Sequence, residues 1–266
     1  EFMRNRGDFD YFNYYELFSD DNVMIDFYKS LDKFGLVKIV NGPAIENTIK
    51  KLGTRIATNL YPTVFGETFM VESIAEPWNP AYSQHKLWMH TDGPYFETTP
   101  DIFLFHCLEN EVINAGNNIY VDGYNIGNIM KNEFPYHYNL LTQYKILFRD
   151  IQDGWDFYDY KYTIELNNNG NIDKIHFNEG IRKSLSWNTT SDYSIKKDIY
   201  NGIKIFQSLT NDARNQINFW MIPGEITVFN NRRILHGRQL IQGKRKMEGG
   251  FILNDSLNAK KRFYLK

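Results

Sequence analysis

His90 and Asp92 stand two residues apart in the stretch WMHTDGPYF, residues 88–96. Side chains alternate across an extended segment, so this spacing puts an imidazole and a carboxylate on one side. Two histidines and one carboxylate on one face of iron(II) form a chemically sensible set. Neutral imidazoles donate strongly without adding charge, the carboxylate offsets part of the 2+ charge, and the opposite positions stay open for co-substrate and oxygen. By itself, however, a His-x-Asp triplet also fits a polar turn between two hydrophobic runs. A third ligand would have to come from elsewhere among the six histidines. His236 has the most telling surroundings, at the end of the alternating run GEITVFNNRRILHGR and directly before a glycine. His106, inside FLFHCL, has the surroundings of a satisfied core histidine; His85 lies on a loop, and His137 and His176 have no partner in sequence.

The elements that must position these groups follow from hydrophobic spacing. Residues 1–20 are polar and aromatic without a clean period and are expected to form an N-terminal arm or short edge element, with Glu1-Phe2 ahead of Met3 resembling a cloning scar. Val23, Phe27, Leu31 and Phe34 share one helical face that Gly35 closes, and a strand LVKIV follows. A second helix is expected from Pro43, a residue tolerated in a first turn, through Ile56. Beyond Pro62 the pattern turns to short strands: 101–110, a strand end with turn and short helix at 120–132, and a hairpin with an Asn-Gly-rich loop at 162–178. Ile195, Ile199, Ile203 and Phe206 mark a helix that Ser191 or Asp192 caps. Residues 215–239 alternate on either side of Pro223-Gly224, and 246–255 add a further strand. The expected class is mainly β with flanking helices (α+β), a jelly-roll core in a single domain over residues 21–266.

Bulk properties narrow the function. Thirty basic against thirty-two acidic residues leave a formal charge of -2, which gives no field for a phosphate backbone or an anionic membrane. Cys107 is the only cysteine, which excludes an internal disulfide and cysteine-rich zinc sites. No apolar run approaches the roughly 20 residues of a membrane helix. These features lead us to expect a soluble protein of a reducing, cytoplasmic compartment, with no nucleic-acid or membrane partner.

Five motifs in order carry a more specific signal: Asn79-Pro-Ala-Tyr82, His90-Thr-Asp92, the strand ending in His106-Cys107, Val121-Asp122-Gly123-Tyr124, and Leu235-His236-Gly237-Arg238. Together they resemble the γ-butyrobetaine dioxygenase and trimethyllysine dioxygenase family, within the iron(II), 2-oxoglutarate-dependent oxygenases, over about residues 30–254. The resemblance implies a double-stranded β-helix, a distorted jelly roll, with iron held by His90, Asp92 and His236. It also implies 2-oxoglutarate and O2 as co-substrates. Arg245 matches the family's arginine before its E-G-[AS]-[YF] strand, and a planar guanidinium suits a bidentate grip on a distal carboxylate. The loop from His236 to Arg245 is shorter than in the metazoan enzymes, which leaves Arg238 or Lys244 as alternatives. Asn79 matches an asparagine that helps hold the co-substrate.

The implied reaction turns 2-oxoglutarate into succinate and CO2 and takes hydrogen from a C–H bond of a small molecule. Hydroxylation is the default outcome, on an amino acid, betaine or related small amine. Alternatives are a desaturase or cyclase on the same fold, or a catalytically silent small-molecule-binding barrel; Asp92 fills the position that halogenases leave for halide. Phe65, Phe69, Tyr82, Tyr95 and Phe251 fall at or near the family's substrate-pocket positions. Two departures stand out. Phe65-Gly66-Glu67-Thr68-Phe69 replaces the Tyr-Gly-x-Thr-Trp of the quaternary-ammonium cage, and Gly93 replaces an aromatic residue that Tyr95 would offset. The chain has neither the length nor the cysteines for the N-terminal zinc-binding domain of larger members, so a homodimer is possible but not implied.

Overall fold

The computed structural model describes residues 9–72, 82–152 and 154–266. Two sheets carry the fold. The larger contains, in spatial order, β1 (Tyr11–Asn13), β2 (Leu36–Val40), β12 (Ile226–Asn230), β5 (Ile102–Asn110), β14 (Arg245–Ile252) and β3 (Thr68–Glu72). The smaller contains β11 (Ile217–Phe219), β6 (Asn118–Asp122), β13 (Ile234–Arg238) and β4 (Leu87–His90). All pairings within them are antiparallel except β1 with β2. From β3 to β6, and again from β11 to β14, successive strands alternate between the two sheets. That winding is a double-stranded β-helix.

Alternation along the strands divides the apolar residues into three cores. Leu36, Phe103, Cys107, Tyr120, Phe229, Met247 and Phe251 point between the sheets and pack together. On the outer face of the larger sheet, Val37, Ile39, Leu104, Ile226, Val228 and Ile252 meet the helices α1 (Tyr14–Ser19), α2 (Asp21–Phe34), α3 (Thr48–Ile56) and α7 (Asn254–Tyr264). Between β6 and β11 the chain inserts α4 (Gly123–Glu133), α5 (Pro135–Gln143), the hairpin β7 (Lys145–Gln152) and β8 (Trp155–Tyr162), the hairpin β9 (Ile164–Leu166) and β10 (Ile172–Ile175), and α6 (Tyr193–Asn211). Ile126, Met130, Leu141, Ile203 and Phe206 from this insertion cover Ile119, Val121 and Leu235 on the outside of the smaller sheet.

Local chemistry sets the helix ends. The Asp20 carboxylate accepts the Asn22 N–H at 2.8 Å to start α2, and Gly35, at φ 74°, ends it. Phe27 and Leu31 are buried as expected, joined by Met24 and Tyr28, while Val23 and Phe34 lie at the stripe's margins. Asp192 caps α6 by accepting from Ser194 and Ile195. One boundary is corrected: α3 begins at Thr48, not Pro43. Asn47 adopts φ 65°, a left-handed conformation that asparagine tolerates and that breaks helical continuity, and the Thr48 hydroxyl bonds back to the Pro43 and Ile45 carbonyls. Within residues 1–20, the described part forms β1 on the edge of the larger sheet and then α1, and it buries Phe9, Phe12, Tyr14 and Leu17.

Candidate active site

β13 lies antiparallel to β4 with His236 directly opposite His90, so two distant histidines meet by register alone. Their ring centroids are 4.3 Å apart. Close approach of the strands depends on Gly237, because a Cβ there would fall 2.7 Å from the Leu87 carbonyl oxygen. After His90 the chain leaves the sheet. Thr91, fully buried, donates its N–H to the Phe177 carbonyl at 2.7 Å and accepts the Phe177 N–H on its hydroxyl at 3.1 Å. This anchors the middle residue outward and turns His90 and Asp92 inward together. Gly93, at φ 63°, then makes the turn, with Phe96 and Pro100 pressed against it.

The donor atoms converge. Asp92 Oδ1 lies 3.4 Å from His90 Nε2 and Oδ2 lies 3.5 Å from His236 Nε2, and all three groups offer ligand atoms within 4.8 Å of one another. His90 Nδ1 sits 2.8 Å from the Trp88 carbonyl, which fixes the proton on Nδ1 and turns the Nε2 lone pair to the cluster. Burial opposes the charge of Asp92, but the charge and hydrogen bonding of His236 and His90 prevail and hold its carboxyl well below the usual range. Burial and the neighbouring His90 charge push His236 below its ordinary value. For His90, burial works against protonation, yet the hydrogen bond and charge of Asp92 raise it.

The cluster opens into a cavity of about 280 Å³ between the sheets. At one end are two buried arginines. Arg245, on β14, donates from Nη2 to the Asn118 side-chain oxygen at 2.8 Å, and its buried Nε has no partner among the described residues. Arg238 donates to the Ser83 and His85 carbonyls at 2.6 and 2.9 Å. Asn118 stands opposite Arg238 in the β6–β13 ladder and so links the two. Burial lowers both guanidiniums to about 10, with Arg245 adding to the effect on Arg238. At the other end, Phe69 packs on Phe251 and Phe103 at centroid distances of 5.4 and 5.9 Å, with Phe65 6.0 Å from Phe69.

His90, Asp92, His236, Arg238, Arg245, Phe65, Phe69, Tyr82, Tyr95 and Phe251 all line this cavity. Asn79 lies outside the described residues. Lys244 does not approach it: its amine pairs with Glu109 at 2.7 Å on the surface. His106 is fully buried, as expected of a core histidine, but only its Nδ1 has a partner, Glu248 at 3.5 Å, and Nε2 has none among the described residues. Several lining residues went unread in the sequence, among them Asn118, Tyr120, Asp150 and Gln207. Asn231 was also missed; it holds the Asp92 backbone, which follows β4 of the smaller sheet, from the end of β12 in the larger sheet, and carries no local signal in the run FNNRR.

A double-stranded β-helix with a His-Asp-His cluster opening into the barrel defines a jelly-roll protein with a candidate metal centre. Residues 5–251 match the family described as "Taurine catabolism dioxygenase TauD, TfdA family", and the chain belongs to it. Among curated relatives, the chain is 30% identical over 233 residues to the γ-butyrobetaine dioxygenase of Homo sapiens, covering 84% of this chain and 58% of that protein. It is 28% identical over 233 residues to the trimethyllysine dioxygenase of Meyerozyma guilliermondii, covering 84% and 56%. The chain thus spans somewhat over half the length of these relatives. The fold is that of a taurine dioxygenase from Burkholderia xenovorans, with a TM-score of 0.67 at 8% identity over 89% of this chain and 85% of that one. Among the described residues no helix is long and apolar enough to cross a membrane.

Proposed function

We propose that this chain is an iron(II)- and 2-oxoglutarate-dependent oxygenase that hydroxylates a C–H bond of an amino acid, betaine or related small amine, with succinate and CO2 as co-products. One observation carries the reading: two imidazole Nε2 atoms and one carboxylate converge on a cavity that two buried arginines also line. The donor set fits the metal, since nitrogen and carboxylate ligands on one face suit iron(II) and leave positions open. Iron(II) bound there supplies the open coordination positions and the oxidising chemistry that C–H cleavage requires.

The chain's own groups do the rest. His90, Asp92 and His236 hold the metal, with the Trp88 carbonyl keeping the His90 tautomer that exposes Nε2. Arg245 meets the distal carboxylate of 2-oxoglutarate, because its guanidinium is buried and keeps donors to spare. The aromatic wall of Phe65, Phe69 and Phe251 excludes water and positions the substrate carbon.

The test is succinate formation from 2-oxoglutarate with iron(II), oxygen and a panel of amino acids and betaines, with products read by mass. Substrate-dependent succinate and a product heavier by one oxygen are expected. His90→Ala, Asp92→Ala and His236→Ala should each abolish succinate while circular dichroism stays native, because the barrel does not depend on one ion for its core. Turnover by any one of these variants near the parent rate would remove that residue from the ligand set.

A further inference from the structure

Asp150 stands where β7 turns its buried face to the cavity. Ile146 and Phe148 precede it at period two and are buried, and continuation of the same face brings the Asp150 carboxylate to the cavity wall. Its place is held from both sides. Phe157 on β8 is its register partner, and the Arg149 N–H donates to the Ile181 carbonyl at 3.1 Å, which lays the segment 178–181 along the other flank.

Among the described residues, three acidic side chains line the cavity: Asp92, Asp150 and Glu179. Asp92 belongs to the metal cluster, and Glu179 is taken up by Arg182 in a two-bond pair at 2.6 and 2.8 Å. Asp150 differs. It accepts from the Gln152 amide at 3.0 Å, and nearby cations are engaged elsewhere: Arg149 pairs with Asp156, Lys145 lies over the Tyr162 ring, and Lys161 on the partner strand pairs with Asp159. A carboxylate offers about four acceptor sites, so one amide leaves most of its capacity open. The surrounding wall is aromatic, with Phe65, Phe69 and Tyr95 close by in the same cavity.

The cavity is polarised. Burial raises the Tyr95 phenol, and the negative charges of Asp150 and Asp92 add to the effect, whereas the charge felt at Arg238 is that of Arg245. Asp150 lies towards Tyr95, because its register partner Phe157 has its ring 6.2 Å from that of Tyr95, while Arg238 and Arg245 meet at Asn118. We propose, resting on the oxygenase reading above, that Asp150 determines specificity by receiving a cationic substrate group that bears N–H donors, a primary ammonium or guanidinium. A charge-assisted N–H to carboxylate bond is short and strong. A quaternary ammonium has no such donor and depends on ring faces, and phenylalanine faces hold cations more weakly than tryptophan.

The test is calorimetric binding to the 2-oxoglutarate-loaded protein, using L-arginine and L-lysine as probes, citrulline and norleucine as their neutral counterparts, and γ-butyrobetaine as the quaternary cation. The parent should bind at least one N–H cation roughly tenfold or more tighter than its neutral counterpart and than γ-butyrobetaine. Asp150→Asn should reduce that preference to within about twofold, and Asp150→Glu, which keeps the charge, should retain part of it. Discrimination that survives in Asp150→Asn, a parent that prefers γ-butyrobetaine, or no binding of either cation would each overturn the proposal. Succinate release is measured beside binding. Discrimination without succinate would remove the oxygenase reading and leave the cation site, and succinate without discrimination would do the reverse.

Discussion

The Asn231 side chain closes a two-bond ring on the backbone of Asp92: its Oδ1 accepts the Asp92 N–H at 2.8 Å, and its Nδ2 donates to the Asp92 carbonyl at 3.0 Å. The same Nδ2 also reaches the Pro100 carbonyl at 3.0 Å. Asn231 is fully buried and follows β12 directly, so it fixes the carboxylate ligand to the far end of the larger sheet.

Asn231→Ala should therefore weaken two properties at once. Leaving a buried N–H and carbonyls unpaired costs about 1–3 kcal/mol per group, which would appear as a lower urea midpoint. Loss of an outer partner that orients a ligand typically costs roughly 10–100-fold in metal affinity. Anaerobic titration with iron(II) or manganese(II) reads the second effect. A variant that unfolds more easily yet binds metal as well as the parent would confine Asn231 to stability.

Arg245 and Arg238 are distinguished by their commitments. Arg238 Nη2 is committed to two backbone carbonyls of the 82–86 loop, while Arg245 Nη2 donates to a side-chain oxygen of the cavity wall, that of Asn118. Arg245→Ala should raise the KM for 2-oxoglutarate by roughly 30-fold or more, since truncating one partner of a desolvated charge pair costs about 2–5 kcal/mol. Arg238→Ala should affect KM less and lower stability more. The reverse ranking would move the co-substrate anchor to Arg238.

The parts of this site that were legible in the sequence are those in which chemistry sits within a few residues. His90-Thr91-Asp92 shows its spacing directly, and Leu235-His236-Gly237-Arg238 shows both a ligand and the glycine that lets two strands meet. Groups whose role depends on register were hidden. Asn118 matters because it falls opposite Arg238, and Asp150 because two buried residues precede it on a strand that also has an exposed aromatic partner strand, with Tyr158 more than half exposed. Mixed aromatic and charged residues in β8 obscure its alternation, so that hairpin carried no clear period. The early helix start at Pro43 failed for a local reason, the left-handed Asn47, that apolar spacing does not encode.

Acid should destabilise the fold through Glu165 and His176. Their side chains lie 3.3 Å apart beneath α4 and α5, and Lys174 also bonds to Glu165. Burial pushes His176 below 6.5, and the hydrogen bond from His176, with help from Lys174, draws Glu165 down to about 2. Each depressed group favours the unfolded chain as protons are added. Stability from His176 therefore declines as pH falls through 6.5, and that from Glu165 declines from 4.5 towards about 2. Urea midpoints at about pH 7.5, 5.5 and 4 should fall in that order. Glu165→Gln should steepen the first decline, because His176 loses the carboxylate that favours its proton, and remove the second. Midpoints in the variant that match the parent at every pH would exclude this pair as the source.

Gly237 makes a sharper demand on the site than any side chain around it. A Cβ at this position would meet the Leu87 carbonyl oxygen at 2.7 Å and the Met89 sulfur at 2.9 Å, and the nearer of these is backbone that cannot rotate away. Gly237→Ala must therefore separate β13 from β4, and with them His236 from His90, which are paired across those strands. Overpacking of this kind costs about 1–3 kcal/mol in stability. The larger effect should fall on metal affinity, by tenfold or more, because the donor atoms lose their common centre. Truncating Met89 in addition should not restore binding, since the carbonyl contact remains. Gly170→Ala is the control: at φ 75° it also strains the backbone, but nothing lies within 4 Å of its Cβ, so it should lower stability and leave metal binding intact. Equal metal affinity in the Gly237→Ala and Gly170→Ala variants would show that the close approach of β4 and β13 is not what brings the two histidines together.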